Sequence, residues 1–112
     1  MVYISTLEDY LAQIRTNPKY KQYKYMPLEH AKIRFKIAKR IIDLRFEAKL
    51  TQNELSLMSN IPLRTIVRIE GGLANPSLQT LYSITDVFDA KIEIVPRQTP
   101  GGIVKNQSLA VY

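Results

Sequence analysis

The sequence predicts a mostly α-helical bundle of about five helices with a short C-terminal β-strand. Apolar residues recur every three or four positions through most of residues 5–90. Small polar capping residues and prolines cut that pattern into segments. Only near the end, in Lys91-Ile92-Glu93-Ile94-Val95, does the period shorten to two, as in a strand. At 112 residues the chain suits one small domain with one modest core.

The first helix runs from Ser5 to Arg15. Ser5 can cap it, with Glu8 three positions on, and Leu7, Leu11 and Ile14 share a face. Asn17-Pro18 ends it, because the residue before proline avoids helical dihedrals. Lys19 to Pro27, "KYKQYKYMP", alternates cations with Tyr20, Tyr23 and Tyr25 and reads as a connector. Those tyrosines either form a partner-binding surface, since aromatics are enriched at interfaces, or cover the next helix. Residues 1–27 are thus an N-terminal helix and connector.

A long helix spans Leu28 to about Lys49, with Ile37, Ile41, Leu44 and Ala48 as its apolar stripe. Lys32, Arg34, Lys36, Lys39 and Arg40 crowd the rest of its first half. Thr51 caps the next helix with Glu54 at the capping-box position, and Leu55 and Met58 are expected inside. Asn60 marks a sharp turn, since Asn tolerates left-handed dihedrals. A short helix follows Pro62 with Ile66 and Ile69 inward, and Gly71-Gly72 stops it. Asn75-Pro76 opens a last helix with Leu78, Leu81, Ile84, Val87 and Phe88 as its buried stripe, ending at Asp89-Ala90. Residues 28–90 form the helical domain. Residues 91–112 supply the strand and a flexible tail, in which "GGIV" can add a second strand. A lone strand needs a partner, within the chain or across a dimer.

Sixteen Lys and Arg against ten Asp and Glu give a net charge of +6. Residues 1–50 hold eleven cations and five anions, and residues 51–112 hold five of each, so the whole excess lies in the first part. A basic balance suits a polyanionic partner. There are no cysteines, which excludes disulfides and thiolate chemistry. The single histidine, His30, has no companions for a catalytic or metal site, so neither an enzyme nor a cofactor is expected. The N-terminus lacks the blocks of a signal peptide and no run spans a bilayer, so a cytoplasmic location is expected, with no membrane partner.

Residues 51–70 pack Leu55, Met58, Ile61, Ile66 and Ile69 inside and leave Leu63, Arg64, Val67 and Arg68 on one outer face. A short helix so decorated fits the major groove of DNA, where Arg donates paired hydrogen bonds to guanine and apolar groups touch thymine methyls. Gln52 can bond a phosphate or brace the reading helix. Candidate DNA-binding residues are therefore Thr51, Gln52, Leu63, Arg64, Thr65, Val67, Arg68 and Asn75.

The segment "LTQNELSLMSNIPLRTIVRIEGGLANPSLQTL" resembles the helix-turn-helix regulators of the Cro and phage-repressor type, the xenobiotic-response-element family. The likeness rests on Leu50-Thr51-Gln52, Glu54-Leu55, Ile61, Ile66, Ile69-Glu70, Gly72 and Asn75-Pro76-Ser77-Leu78, and covers about residues 37–88. It implies a DNA-binding transcriptional repressor acting as a homodimer on an inverted-repeat operator. It also implies a structural ion pair between Arg45 and Glu70. Pro62 stands in place of the family's hydroxyl cap, and Leu73 and Ala74 stand where relatives often carry cations. The flanks, "NPKYKQY", "IAKRIIDLR" and "AKIEIVP", resemble antitoxins of the host-inhibition-of-growth type, which implies a small basic ribonuclease toxin as partner. The alternatives are a stand-alone regulator without a toxin and, in another class, a protein-only adaptor.

Overall fold

The computed structural model describes residues 6–97. Their order is α1 (Leu7–Thr16), a 3-10 segment (Pro18–Tyr23), α2 (Leu28–Glu47), α3 (Gln52–Ser59), α4 (Leu63–Glu70) and α5 (Leu78–Val87). The cap of α1 is Thr6, whose hydroxyl accepts the amide of Asp9 at 3.1 Å. The expected cap, Ser5, lies outside the described residues. Asn17 closes α1 and opens the 3-10 segment, its side-chain oxygen accepting the amide of Lys19 at 2.9 Å. The connector is thus an ordered turn of helix.

Two apolar clusters share α2. One gathers Tyr10, Ile14, Tyr20, Ala31, Ala38 and Ile42, with Phe35 and Leu73 against it. The other gathers Ile41, Leu55, Ile66, Ile69 and Ile84, with Ile37, Ile61, Leu81 and Phe88 against it. α2 therefore carries two stripes. Ile37 and Ile41 of the expected stripe face the second cluster, but Ala48 at its end is exposed. The second stripe is Ala31, Phe35, Ala38 and Ile42, again at i, i+4, i+7 and i+11. Its two alanines leave room for aromatic rings at close packing density. Tyr10 meets Tyr20 edge-on, ring centroids 6.0 Å apart, and lies 6.1 Å from the ring of Phe35.

Three expectations need correction. Met58 is 59% exposed, and Ser59 joins Leu55 as the buried side of α3. The helix is only two turns long, and its core-facing line runs through positions 55 and 59. Leu78 is 69% exposed because it is the first residue of α5, beyond the edge of the core that Leu81 and Ile84 enter. Finally, Lys91–Val95 is not a β-strand. No strand exists among the described residues, so its backbone has no ladder to join. The "GGIV" segment and the expected loose tail from residue 98 lie outside the described residues.

Candidate nucleic-acid interface

The turn between α3 and α4 is fixed by its own side chains. Thr51 and Glu54 form the full capping box at the start of α3: the Thr51 hydroxyl accepts the Glu54 amide at 3.0 Å, and the Glu54 carboxylate accepts the Thr51 amide at 2.9 Å. Hydrogen bonds from the Thr51 backbone and then its side chain hold the Glu54 carboxyl below its usual pKa. At the other end Asn60 adopts the left-handed conformation, φ 60° and ψ 29°. The Ser56 hydroxyl donates to the Ile61 carbonyl at 2.6 Å, and the Ile61 amide donates to the Ser59 hydroxyl at 3.3 Å. The hydroxyls of Ser56 and Ser59 are thereby engaged by the backbone of the turn itself. Pro62 follows as the N-cap of α4 without a side-chain cap bond.

α4 buries Ile66, Ile69 and Glu70 and exposes Leu63, Arg64 and Arg68. Thr65 and Val67 are half-buried at the margins. Arg64 makes no hydrogen bond or ion pair within the described residues. Arg68 is exposed and uses one guanidinium N–H to donate to the Leu73 carbonyl at 2.9 Å, its other donors having no partner among the described residues. Asn75 is exposed in the loop before α5, whose cap is Ser77.

Behind that face lies the Arg45–Glu70 pair. The Arg45 Nε and Nη2 donate to the two Glu70 carboxylate oxygens at 2.7 and 2.8 Å, and Nη1 donates to the Leu50 carbonyl at 3.0 Å. Gln52 Nε2 donates to Glu70 at 3.1 Å, so this side chain braces α3 against α4. Both charges are buried, and every buried side-chain polar atom among the described residues has a partner.

The loop that leaves α4 is held by residues far away in sequence. Four successive carbonyls each receive a side-chain donor. The Tyr20 hydroxyl donates to Gly71 at 2.6 Å, Tyr10 to Gly72 at 3.0 Å, Tyr23 to Leu73 at 2.7 Å, and Arg34 Nη1 to Ala74 at 2.8 Å. The Arg34 guanidinium also stacks 4.5 Å from the Tyr23 ring centroid. Burial pushes the Tyr10 phenol up to about 12 and raises that of Tyr20, so both remain protonated donors at neutral pH. Gly72 takes φ 70°, and the amide of Leu73 returns to the Arg68 carbonyl at 2.8 Å, a Schellman ending.

This overturns part of the partner-binding expectation for the connector. Tyr20 is fully buried and Tyr23 half-buried, because their hydroxyls reach the loop and their rings pack on α2. Tyr25 alone of the three is exposed, at 88%. Sequence reasoning also passed over Tyr10 and Arg34. Tyr10 had a signal, since it lies three residues after Leu7 and four before Ile14. Arg34 had none, being one cation among several on α2.

Among the described residues no group of His, Cys, Asp and Glu could hold a metal ion. No described helix is long and apolar enough to cross a membrane.

A helix-turn-helix family model matches residues 41–95, from the second half of α2 through α5. Two proteins of Archaeoglobus fulgidus, each described as an uncharacterised HTH-type transcriptional regulator, are 44% and 43% identical over 54 residues. The aligned part is 48% of this chain and 76% and 77% of theirs. A Haemophilus influenzae protein of the same description is 29% identical over 69 residues, 62% of this chain and 70% of its own length. No solved structure matches the chain. With α3, its turn and α4 in the arrangement just described, the chain belongs to the helix-turn-helix transcriptional regulators and carries their DNA-binding domain.

Proposed function

We propose that the chain is a sequence-specific repressor that inserts α4 into the major groove, with Arg64 and Arg68 as its principal base or phosphate contacts. The observation that carries this reading is the two-sidedness of α4. Ile66 and Ile69 anchor one side, while Arg64, whose side chain has no partner among the described residues, stands on the other. Leu63, Thr65 and Val67 flank it with apolar contacts suited to thymine methyls. Thr51 and Asn75 border the face, and Gln52 serves as the brace. A homodimer would set two reading helices about 34 Å apart and so require an inverted repeat. The exposed Ile94 and Val95 offer an apolar surface for such a contact.

The test is footprinting on a duplex selected by the protein from a random pool. Arg64→Ala and Arg68→Ala are each expected to weaken protection by about 1–3 kcal/mol, Arg64→Ala without lowering the melting temperature and Arg68→Ala with at most the small loss of its exposed bond to Leu73. Unchanged protection with the double variant would reject the assignment.

Within this reading, the role of antitoxin rests on the flanks: a helix and an ordered connector precede the domain, and an "AKIEIVP" segment follows it. If that role holds, the product of the adjacent gene is a small basic ribonuclease and co-purifies with the chain. Absence of such a companion would leave a stand-alone regulator. A protein-only adaptor would show no salt-sensitive affinity for DNA.

A further inference from the structure

We infer that Lys19 and Lys21, on the 3-10 segment, form a second grip on the DNA backbone beside α4, gripping phosphates of the duplex that α4 reads. The inference rests on the major-groove reading proposed above. Pro18, Lys19, Lys21, Gln22 and Arg68 line one cleft of about 590 Å³. Three of its five lining residues are cations and none is acidic. Neither Lys19, Lys21 nor Arg68 has an ion-pair partner among the described residues. On α2, Lys32 pairs with Glu29 at 3.3 Å, Lys39 pairs with Asp43 at 3.5 Å and Arg34 donates to the Ala74 carbonyl, while Lys36 and Arg40 are exposed and, like Lys19 and Lys21, have no ion pair among the described residues.

The lysines are also held in register with α4. They flank Tyr20, whose buried ring and hydrogen bond to Gly71 fasten the 3-10 segment to the end of that helix. The loop from Gly71 to Asn75 has no cation of its own; Arg34 and Arg68 reach its Ala74 and Leu73 carbonyls, and the 3-10 segment adds Lys19 and Lys21 beside Arg68. A duplex carries one negative charge per about 1.7 Å of its axis, which brings several phosphates past a helix lying in the groove. Both lysines lie outside the family match, which begins at residue 41.

The experiment measures affinity for the selected duplex across a salt series, for the full chain and for Lys19→Ala/Lys21→Ala. Each phosphate contact contributes about 0.9 to the slope of log affinity against log salt. The double variant should therefore show a slope shallower by about 1.8 per protomer, and weaker binding by about tenfold per lost contact at 0.1 M salt. Its preference for the selected duplex over one with a single base substituted should stay unchanged. Hydroxyl-radical protection should retreat at the backbone flanking the recognised bases. Lys19→Arg/Lys21→Arg should keep both slope and affinity. Wild-type binding with an unaltered slope and footprint in the alanine pair would overturn the inference and leave the proposed function standing. Failure of the wild type to select any duplex would overturn both.

Discussion

Glu70→Ala is expected to cost about 3–5 kcal/mol, because it strands the buried Arg45 guanidinium without its carboxylate. At 4–8 °C per kcal/mol for a domain of this size, the melting temperature should fall by at least roughly 12 °C. The loss reaches further than the pair. Gln52 donates to the same carboxylate, so α3 and α4 are released from each other at their shared inner end. The informative comparison is Arg45→Met/Glu70→Leu. It removes both charges and replaces them with apolar volume, so it should be less destabilising than Glu70→Ala alone. Thermal unfolding followed by circular dichroism measures both. A loss under about 1 kcal/mol for Glu70→Ala would mean that the pair behaves as a solvent-screened surface contact, contrary to its geometry.

Gly72→Ala should be nearly as damaging, by about 2–5 kcal/mol, while Gly71→Ala should cost less than about 1 kcal/mol. The two glycines are adjacent, yet they differ in kind. A Cβ on Gly72 would stand 2.4 Å from Cε1 and 2.9 Å from Cζ of Tyr10, and the residue is already at φ 70°. The Tyr10 ring cannot retreat, because it is fully buried among Ile14, Tyr20, Ala38 and Ile42 and its hydroxyl is bonded to the Gly72 carbonyl. A Cβ on Gly71 would meet nothing closer than the Val67 carbonyl at 3.4 Å, with φ at −86°. Urea titration of the two variants gives the comparison directly. Equal losses would show that the end of α4 yields as a unit rather than at one crowded point.

How much of this was legible depends on the distance over which each signal acts. The capping box of Thr51 and Glu54, the left-handed Asn60 and the glycine stop after α4 are settled within a few residues, and each was readable from the sequence. The Arg45–Glu70 pair spans 25 residues and was foreseen only through family resemblance. The tyrosine hydroxyls find carbonyls 50 to 62 residues away, and nothing local distinguishes Tyr20 in the core from Tyr25 in solvent. Their alternation with lysines left a partner surface and a cover over α2 equally open; the 3-10 turn carries Tyr20 inward against α2 and leaves its charged neighbours outside. The second stripe on α2 was hidden because alanines contribute little to an apolar pattern. The exposed Met58 and Leu78 show the opposite error, in which side-chain character suggested burial that two-turn geometry and a helix end did not permit. For the candidate DNA face, the spacing of positions 63, 64, 67 and 68 was enough to place these residues together. The lysines that border Arg68 depended on a fold-back that spacing does not encode.

The four tethered carbonyls after α4 separate two boundaries that are easily taken as one. Kinship with other regulators begins near residue 41, but mechanical integrity begins near residue 10, where the first tether originates. A fragment trimmed to the shared region would lose the aromatic bed on which the exit of its reading element rests and leave those four carbonyls to water. Sequence drift in the leading segment can therefore alter the posture of the reading element without touching any residue that faces the duplex.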